Sequence, residues 1–171
     1  MRSSALVPSE RAGVSIQPMR WWHIEQILPL EEDLFGAERW TAPMFWNELA
    51  NGHYYVVAVE EGARDAGDGE VVGYAGLVVV PASAGAGGEA WINNIAVRRD
   101  RQRRGIGRSL LEHLLEVARK SGARQVLLEV AADNGPAQRL YDQYGFDVVD
   151  VRKGYYQTSR TDALVLRRVE S

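Results

Sequence analysis

The chain has 171 residues, of which 46% are hydrophobic and 25% charged, a composition typical of one soluble globular domain rather than two full domains. Its formal net charge of −3 argues against direct binding to nucleic acid, which usually depends on a basic surface. The sequence contains no cysteine, which excludes disulfides, thiolate metal sites and a cysteine nucleophile, and which suits a reducing cytoplasm. No segment reaches the roughly 18–20 apolar residues that a transmembrane helix needs, so no membrane partner is expected.

The first fifteen residues are predicted to form a disordered tail in front of a single domain that spans residues 16–171. Their one apolar run, Ala5 to Val7, is too short for the core of a signal peptide, which needs about 7–15 apolar residues. We therefore expect no targeting role for this tail.

Two helices and three strands are predicted next. The segment from Trp21 to Phe35 carries apolar residues at helical spacing, and a short second helix is predicted from Thr41 to about Leu49. Runs of β-branched and aromatic residues then predict three strands, at residues 54–59, 71–80 and 90–97. The connections at residues 61–70 and 81–88 show no helical pattern, so the three strands are expected to form an antiparallel meander.

The second half of the chain alternates helices with strands. A leucine-rich face predicts a helix that ends at Gly122, and a further helix is predicted to begin at Asn134 and to end at Gly145. Three more strands are predicted, at residues 126–131, 147–152 and 163–168. The order α-α-β-β-β-α-β-α-β-β predicts a mixed sheet flanked by helices, which belongs to the α+β class.

An arginine- and glycine-rich segment is predicted to join the third strand directly to a helix, and it reads Gln102-Arg103-Arg104-Gly105-Ile106-Gly107-Arg108. The start of a helix has free N–H groups, and glycines let the backbone approach a ligand closely, so such a segment favours the binding of a phosphate group. The arginines add permanent positive charge. A dinucleotide-binding fingerprint would need glycine at Leu110, and the Gly-Lys-Ser/Thr of a P-loop is absent. The residues alone leave a solvated arginine run as the alternative.

This segment matches the Q/R-x-x-G-x-G/A pyrophosphate loop of the GNAT superfamily of N-acetyltransferases. Three further segments also match: N-N-I-A-V before the loop, L-L-E-V after the helix, and then N-G-P-A-Q-R-L-Y-D-Q-Y-G-F. From about Trp22 to Arg168 the chain resembles the RimI family of bacterial ribosomal-protein-alanine N-acetyltransferases. The resemblance implies a GNAT fold with splayed central strands, acetyl-CoA as co-substrate, no metal, and the N-terminus of a ribosomal protein as acceptor.

The resemblance also implies which residues hold acetyl-CoA. The strand at Ile95, Ala96 and Val97 would be bulged, so that its free backbone groups bind pantetheine and the Val97 N–H polarises the thioester carbonyl. The loop from Arg103 to Arg108 would bind the pyrophosphate. From the residues alone, the apolar strand packs the core and Asn134 caps its helix, whereas the resemblance makes Asn134 a contact to CoA as well.

Glu129 and Tyr141 are the predicted catalytic pair. Glu129 stands alone in an apolar strand, which by itself indicates either an arginine partner or an edge position facing water. The resemblance makes it a general base acting through a water molecule. Tyr141 lies on the apolar stripe of its helix, where packing is its default role, and the resemblance makes it the proton donor to the departing CoA thiolate. We expect the amine to attack the thioester directly, without a covalent enzyme intermediate.

Three aromatic residues are predicted to border the acceptor pocket. Trp40 lies in the loop between the first two helices, and Tyr155 and Tyr156 lie in a predicted loop between the last two strands. Gln157 stands where the resemblance leads us to expect proline, which leaves the geometry of that loop open. The three histidines are scattered and predict no metal site, and His113, opposite the leucine face of its helix, is predicted to be exposed.

Two alternative functions stay open from the sequence. One is a small-molecule amine acetyltransferase, which needs a closed and usually acidic pocket, whereas a peptide acetyltransferase needs an open groove. The acidic residues Glu31, Glu32 and Asp33 would suit either pocket. The other alternative is a non-catalytic acetyl-CoA-binding module, which predicts loss of Glu129 and Tyr141, and both are present.

Overall fold

A computed structural model describes residues 13–62, 69–83 and 87–171, and in this part a mixed sheet carries helices on both faces. The helices are α1 Ile24–Phe35, α2 Ala42–Ala50, α3 Ile106–Lys120 and α4 Gly135–Gln143. The strands are β1 Val14–Pro18, β2 Tyr54–Glu60, β3 Glu70–Val80, β4 Gly88–Val97, β5 Ala123–Ala131, β6 Asp147–Tyr156 and β7 Thr161–Val169. Their order in the sheet is β1-β2-β3-β4-β5-β7-β6, and only β4 and β5 run parallel. The predicted α+β class and the antiparallel meander of β2, β3 and β4 are confirmed.

An additional edge strand begins inside the segment that was predicted to be a tail. β1 starts at Val14 and pairs antiparallel with β2, from Val14 opposite Glu60 to Pro18 opposite Val56. The prediction of a tail up to residue 15 is therefore wrong for its last two residues, whereas residues 1–12 lie outside the described ones. In this five-residue strand only Ile16 is buried, so its alternating pattern is too short to stand out in the sequence.

The last hairpin also differs from the prediction. β6 continues beyond Arg152 to Tyr156, so Tyr155 and Tyr156 end a strand and do not lie in a loop. The pairing of β6 with β7 is irregular between Arg152 and Tyr156, where Gly154 adopts a φ of 60°. An edge strand tolerates such an irregularity. In the sequence, a glycine at this position is typical of the end of a strand, although here the strand continues beyond it.

The central strands are buried on both faces. In β2, Val56 and Ala58 pack toward α3, while Val57 and Val59 pack toward α1 and α2. Strands covered on both sides appear in sequence as unbroken apolar runs, which is why β2 and β3 were predicted correctly. This packing fixes the strand positions from which the site is built.

None of the helices in the described part is long and apolar enough to cross a membrane.

His113 is half-buried, and the prediction that it is exposed is wrong. Its ring stacks on Tyr54 at a centroid distance of 5.9 Å, and its Nε2 lies 2.7 Å from the Tyr54 hydroxyl oxygen. Burial lowers the pKa of His113. The prediction used only the position of His113 on its own helix. The contact that buries it comes from Tyr54 at the start of β2, and this tertiary contact is not visible in the helix pattern.

Candidate active site

The centre of the sheet opens between β4 and β5. The two strands pair only as far as Ile92 and Leu128, after which β4 stays against β3 and β5 stays against β7. The register of β4 on β3 shifts between Gly76 and Leu77, which leaves Asn93 as an extra residue in a β-bulge. The bulge and the splay produce a gap whose edges are backbone.

Peptide groups of β4 face this gap. The Arg98 N–H donates to the Val72 carbonyl of β3 at 2.8 Å. Successive peptide groups of a strand point to opposite sides, so those of Val97 and Ile95 point away from β3 and into the gap. Those of Ala96 point toward β3, and its side chain is buried on the α1 side. Of the three predicted residues on this strand, Ile95 and Val97 therefore face the gap. The Val97 carbonyl accepts a hydrogen bond from Gln102 Nε2 at 3.0 Å, so Val97 offers its N–H to a ligand.

The loop that precedes α3 presents free N–H groups. Gly105 is the residue before the helix and has a φ of 82°, a left-handed conformation, and no side chain caps the helix. The N–H groups of Ile106, Gly107 and Arg108 therefore have no partner within the helix. Together with the helix dipole they form a site suited to an anion.

The arginines around this loop fall into two groups. Three of them are held in ion pairs: Arg98 with Glu70, Arg99 with Asp33 and Arg101 with Glu60. Arg108 is also engaged, because its guanidinium donates to the Tyr144 hydroxyl at 3.2 Å and to Gln143. Arg103 and Arg104 are exposed, and neither forms an ion pair within the described residues. These two side chains are the ones available to a phosphate.

A cleft of about 450 Å³ occupies the splay, and most of the predicted catalytic and acceptor-binding residues line it. One wall comes from α1 and the segment before α2, and the opposite wall comes from β5, α4 and the β6–β7 hairpin. Six residues that the sequence predicted to belong to the site line this cleft: Trp40, Ile95, Glu129, Asn134, Tyr141 and Tyr156. Tyr155 lies beside the cleft, 46% exposed, with its ring edge-on to Tyr156 at 5.2 Å.

Glu129 has the arginine partner that its position in an apolar strand indicated. Its Oε1 lies 2.6 Å from Arg152 Nη1, and its side chain is 19% exposed. Glu129 also raises the pKa of Tyr155, mainly by accepting a hydrogen bond from its hydroxyl. The guanidinium of Arg152 lies 5.7 Å from the centre of the Tyr155 ring. Glu129 therefore reaches the cleft as a carboxylate whose charge is already partly compensated.

Tyr141 and Asn134 have structural roles besides their place in the cleft. Tyr141 is 8% exposed and packs edge-on against Phe146, with ring centroids 5.7 Å apart. Burial, together with the nearby Tyr156, raises the pKa of Tyr141 to about 12. Asn134 caps α4, since its Oδ1 accepts the Ala137 N–H at 3.2 Å. The packing and capping roles expected from the residues alone are confirmed.

Of the acidic run Glu31, Glu32 and Asp33, which the sequence offered to either acceptor pocket, only Glu31 lines the cleft. It is only 1% exposed, and its Oε2 accepts the backbone N–H of Trp40 at 2.7 Å. Its Oε1 is buried without a hydrogen-bond partner. Burial raises the pKa of Glu31 to about 7, although the Trp40 N–H opposes this shift. The sequence carried a signal of this burial, because Glu31 follows Ile27 by four residues and so lies on the apolar stripe of α1.

The two loops beside the cleft touch each other. The Thr158 N–H, from the β6–β7 turn, donates to Glu38 Oε1 at 2.9 Å. Across the described ranges, no group of three His, Asp or Glu side chains lies close enough together to hold a metal ion.

Comparison with known proteins identifies the same architecture. Residues 17–146 match the model of the acetyltransferase (GNAT) family. The chain is 39% identical to the N-alpha-acetyltransferase RimI of Mycobacterium tuberculosis over 140 residues, which cover 81% of this chain and 82% of that protein. A Bacillus subtilis protein, provisionally named ribosomal protein bS18-alanine N-acetyltransferase, is 29% identical over 91% of this chain and 95% of its own length. The crystal structure of the ribosomal-protein-S18-alanine N-acetyltransferase from Escherichia coli superposes with a TM-score of 0.78 at 28% identity, covering 92% of this chain and 94% of that one.

Proposed function

We propose that this chain, which belongs to the acetyltransferase (GNAT) family and is an acetyl-CoA-dependent N-acetyltransferase, acetylates the N-terminal alanine of a small-subunit ribosomal protein. The observation that carries the chemistry is the meeting of Glu129, Tyr141 and the free backbone edge of β4 in one cleft. The names of the relatives support the choice of acceptor. The cleft between two loops is also suited to the end of a peptide chain.

Acetyl-CoA would lie along the free edge of β4 with its pyrophosphate at the start of α3. The N–H groups of Ile106, Gly107 and Arg108 would bind the phosphate oxygens, and Arg103 and Arg104 would add charge. The backbone of Ile95 would bind pantetheine, and Asn134 would contact CoA from the start of α4. This placement brings the thioester to the cleft that Glu129 and Tyr141 line.

The acetyl group would move in one direct step. The amine nitrogen attacks the thioester carbonyl carbon, whose oxygen is stabilised by the Val97 N–H, and the carbon–sulfur bond breaks. Glu129 takes the proton that the attacking nitrogen loses, through a water molecule, and the sulfur takes a proton from Tyr141. Because burial raises the pKa of Tyr141 to about 12, its phenol is protonated at neutral pH and carries the proton that the departing sulfur takes.

An N-terminal amine suits this site better than a lysine side chain. The reference pKa of an α-ammonium is about 7.7–8.0, whereas that of lysine is about 10.4. Removing a proton from an N-terminus at neutral pH therefore asks less of a carboxylate base. Trp40, Tyr155 and Tyr156 would border the bound N-terminal residue.

A small-molecule amine is the second candidate acceptor, and the acidity of the cleft favours it. Four carboxylate side chains line the cleft, those of Glu31, Glu38, Glu129 and Asp133. Such a pocket attracts a polyamine or an antibiotic that carries amino groups as well as a peptide N-terminus. The fold and the acetyl-CoA site are the same for both candidates.

The acceptor is tested by following thiol release from acetyl-CoA with a panel of amines. The panel holds peptides that begin Ala-Arg, the same peptides with a blocked N-terminus and an internal lysine, and small amines. We expect turnover only on the free N-terminal alanine, and turnover on small amines alone would transfer the function to the second candidate. Acetyl-enzyme that accumulates in a burst before steady state would contradict direct attack.

A further inference from the structure

The acceptor side of the cleft contains a buried carboxylate oxygen without a partner, Oε1 of Glu31. Resting on the proposed amine acetylation, we infer that Glu31 binds the ammonium group of the acceptor and takes its first proton. Neither the general base Glu129 nor any other predicted site residue has this role. The assignment concerns a contact to the reacting nitrogen itself, so it makes Glu31 a catalytic residue.

The protons of the reaction require two acceptors. An ammonium group must lose one proton to become a nucleophile, and the nitrogen must lose a second proton once it is bonded to the acetyl carbon. Glu31 would take the first proton and release it to solvent, while Glu129 would take the second through water. The thiolate takes the proton of Tyr141, and the second proton, collected by Glu129, then restores the Tyr141 phenol. The net products are the amide, CoA thiol and one proton released to solvent.

The placement of Glu31 fits a cation-binding role. Glu31 is held by the Trp40 N–H on Oε2 and belongs to the lining of the cleft that Glu129 also lines, while its Oε1 has no hydrogen-bond partner. A buried carboxylate oxygen that lacks a hydrogen bond costs free energy, and an ammonium group that donates to it removes that cost. Neutral ligands could satisfy only the hydrogen bond and not the charge.

The surroundings of Glu31 leave its charge uncompensated. Among the described residues no cation forms an ion pair with Glu31, whereas Glu129 is paired with Arg152. Burial, together with Glu48 and Glu31, raises the pKa of Tyr55, so this part of β2 and α2 contributes a tyrosine and a glutamate, side chains that never carry positive charge. The Tyr55 hydroxyl donates to Asn94 at 3.0 Å, and Glu48 is bonded to His53 at 2.7 Å. A cation is therefore the ligand that this wall lacks.

The proton affinity of Glu31 supports the same role. Burial raises its pKa to about 7, close to the reference value of about 7.7–8.0 for an α-ammonium. Proton transfer between the two groups is then nearly balanced in free energy. Transfer from a lysine ammonium, with a reference pKa of about 10.4, is strongly uphill. Glu31 would thus favour N-terminal amines over lysine side chains.

A binding experiment separates the charge of Glu31 from its structural role. An Ala-Arg peptide is compared at pH 7.5 with the same peptide whose N-terminal amino group is replaced by hydroxyl, on CoA-saturated enzyme in a calorimeter. We expect the wild type to bind the amine about tenfold more tightly than the alcohol. Glu31→Gln should bind both equally, because its amide oxygen still accepts the Trp40 N–H while the charge is lost.

Glu32→Gln is the matched control, since Glu32 is the exposed neighbour of Glu31 on α1 and should keep the wild-type preference. A Glu31→Gln variant that still prefers the amine would overturn the inference. If the wild type binds neither peptide but turns over a small amine, the proposed acceptor is wrong. The same comparison is then made with that amine and its alcohol analogue, and the inference stands or falls on that result.

Discussion

The two parts of the proposed site are built from different parts of the chain. The proposed cofactor end consists of backbone: the N–H groups at the start of α3, the left-handed Gly105 before them and the free edge of β4. The proposed acceptor end consists of side chains contributed by distant elements. Its closing contact joins Glu38 to Thr158, which are 120 residues apart in the chain.

This difference explains why the family is readable from the sequence and the acceptor is not. A site made of backbone needs glycines and a helix start at fixed spacing, so it leaves a local motif. A site made of side chains from α1, β5 and β6 depends on how these elements pack, and leaves no motif. The acceptor end can therefore change chemistry without disturbing the cofactor end.

The largest effect is expected at the acceptor end. Replacing Glu129 by Gln should lower kcat by about 10²–10⁴-fold at neutral pH, because the general base is lost, while the dissociation constant of acetyl-CoA changes less than about twofold. Steady-state thiol release and calorimetry measure the two quantities. Asp142→Asn, on the exposed side of α4 next to Tyr141, is the control and should leave both unchanged. An unchanged kcat in Glu129→Gln would remove this residue from the mechanism.

At the cofactor end, Gly105→Val should weaken CoA binding by about 10–100-fold. Gly105 has a φ of 82°, which a β-branched residue adopts only at a cost of about 1–3 kcal/mol, so the loop and its N–H groups would shift. Gly122→Val is the matched control, because Gly122 also has a left-handed φ of 80° and lies just beyond the opposite end of α3. Equal affinities for CoA in the two variants would show that this loop does not bind the pyrophosphate.

The buried carboxylate should also be visible in protein stability. Burial raises the pKa of Glu31 from 4.5 to about 7, so between these pH values the folded state binds more protons than the unfolded state and stability falls as pH rises. Relative to Glu31→Gln, the wild type should lose about 3 kcal/mol of unfolding free energy between pH 4.5 and pH 8. Urea unfolding of both proteins at the two pH values measures the difference. A difference independent of pH would mean that Glu31 ionises as an exposed glutamate does.

The smallest effect is expected from the free arginines. Arg104→Ala should weaken CoA binding about threefold and reduce its dependence on salt, because the side chain adds charge at an exposed site where the backbone provides most contacts. Arg99→Ala serves as the comparison, since Arg99 is paired with Asp33 at 3.1 Å and should leave CoA affinity unchanged. If both variants bind CoA equally, the assignment of Arg104 to the phosphate is wrong.

The sequence predicted the elements of the core well and the edges poorly. The leucine face of α3 and the apolar runs of β2 and β3 extend over many residues, so their patterns are strong. β1 has too few buried residues to form a pattern, and Gly154 interrupts β6 at a point where the edge strand continues. Both errors concern segments whose structure is decided by a neighbouring strand.

Within the site, the same limit applies to single side chains. The environment of Glu129 was predictable because a lone carboxylate in an apolar strand calls for a partner, and Arg152 supplies it. Glu31 stood in an acidic run that resembles a solvated helix face, and only its phase on α1 distinguishes it from Glu32. Its burial arises from Trp40 and the loop that folds over it, which no local pattern describes.

The bulge at Asn93 has a consequence for how the gap is opened. One extra residue shifts the register of β4 on β3 at that point. Deleting Asn93 while keeping every other residue would leave Ile92 opposite Leu77 and Asn94 opposite Gly76 in an unbroken ladder, so the bulge would be lost while Val97 still faced away from β3. The bulge lies where the pairing of β4 with β5 ends at Ile92, so its loss would act on the opening of the gap and not on which residue supplies the N–H.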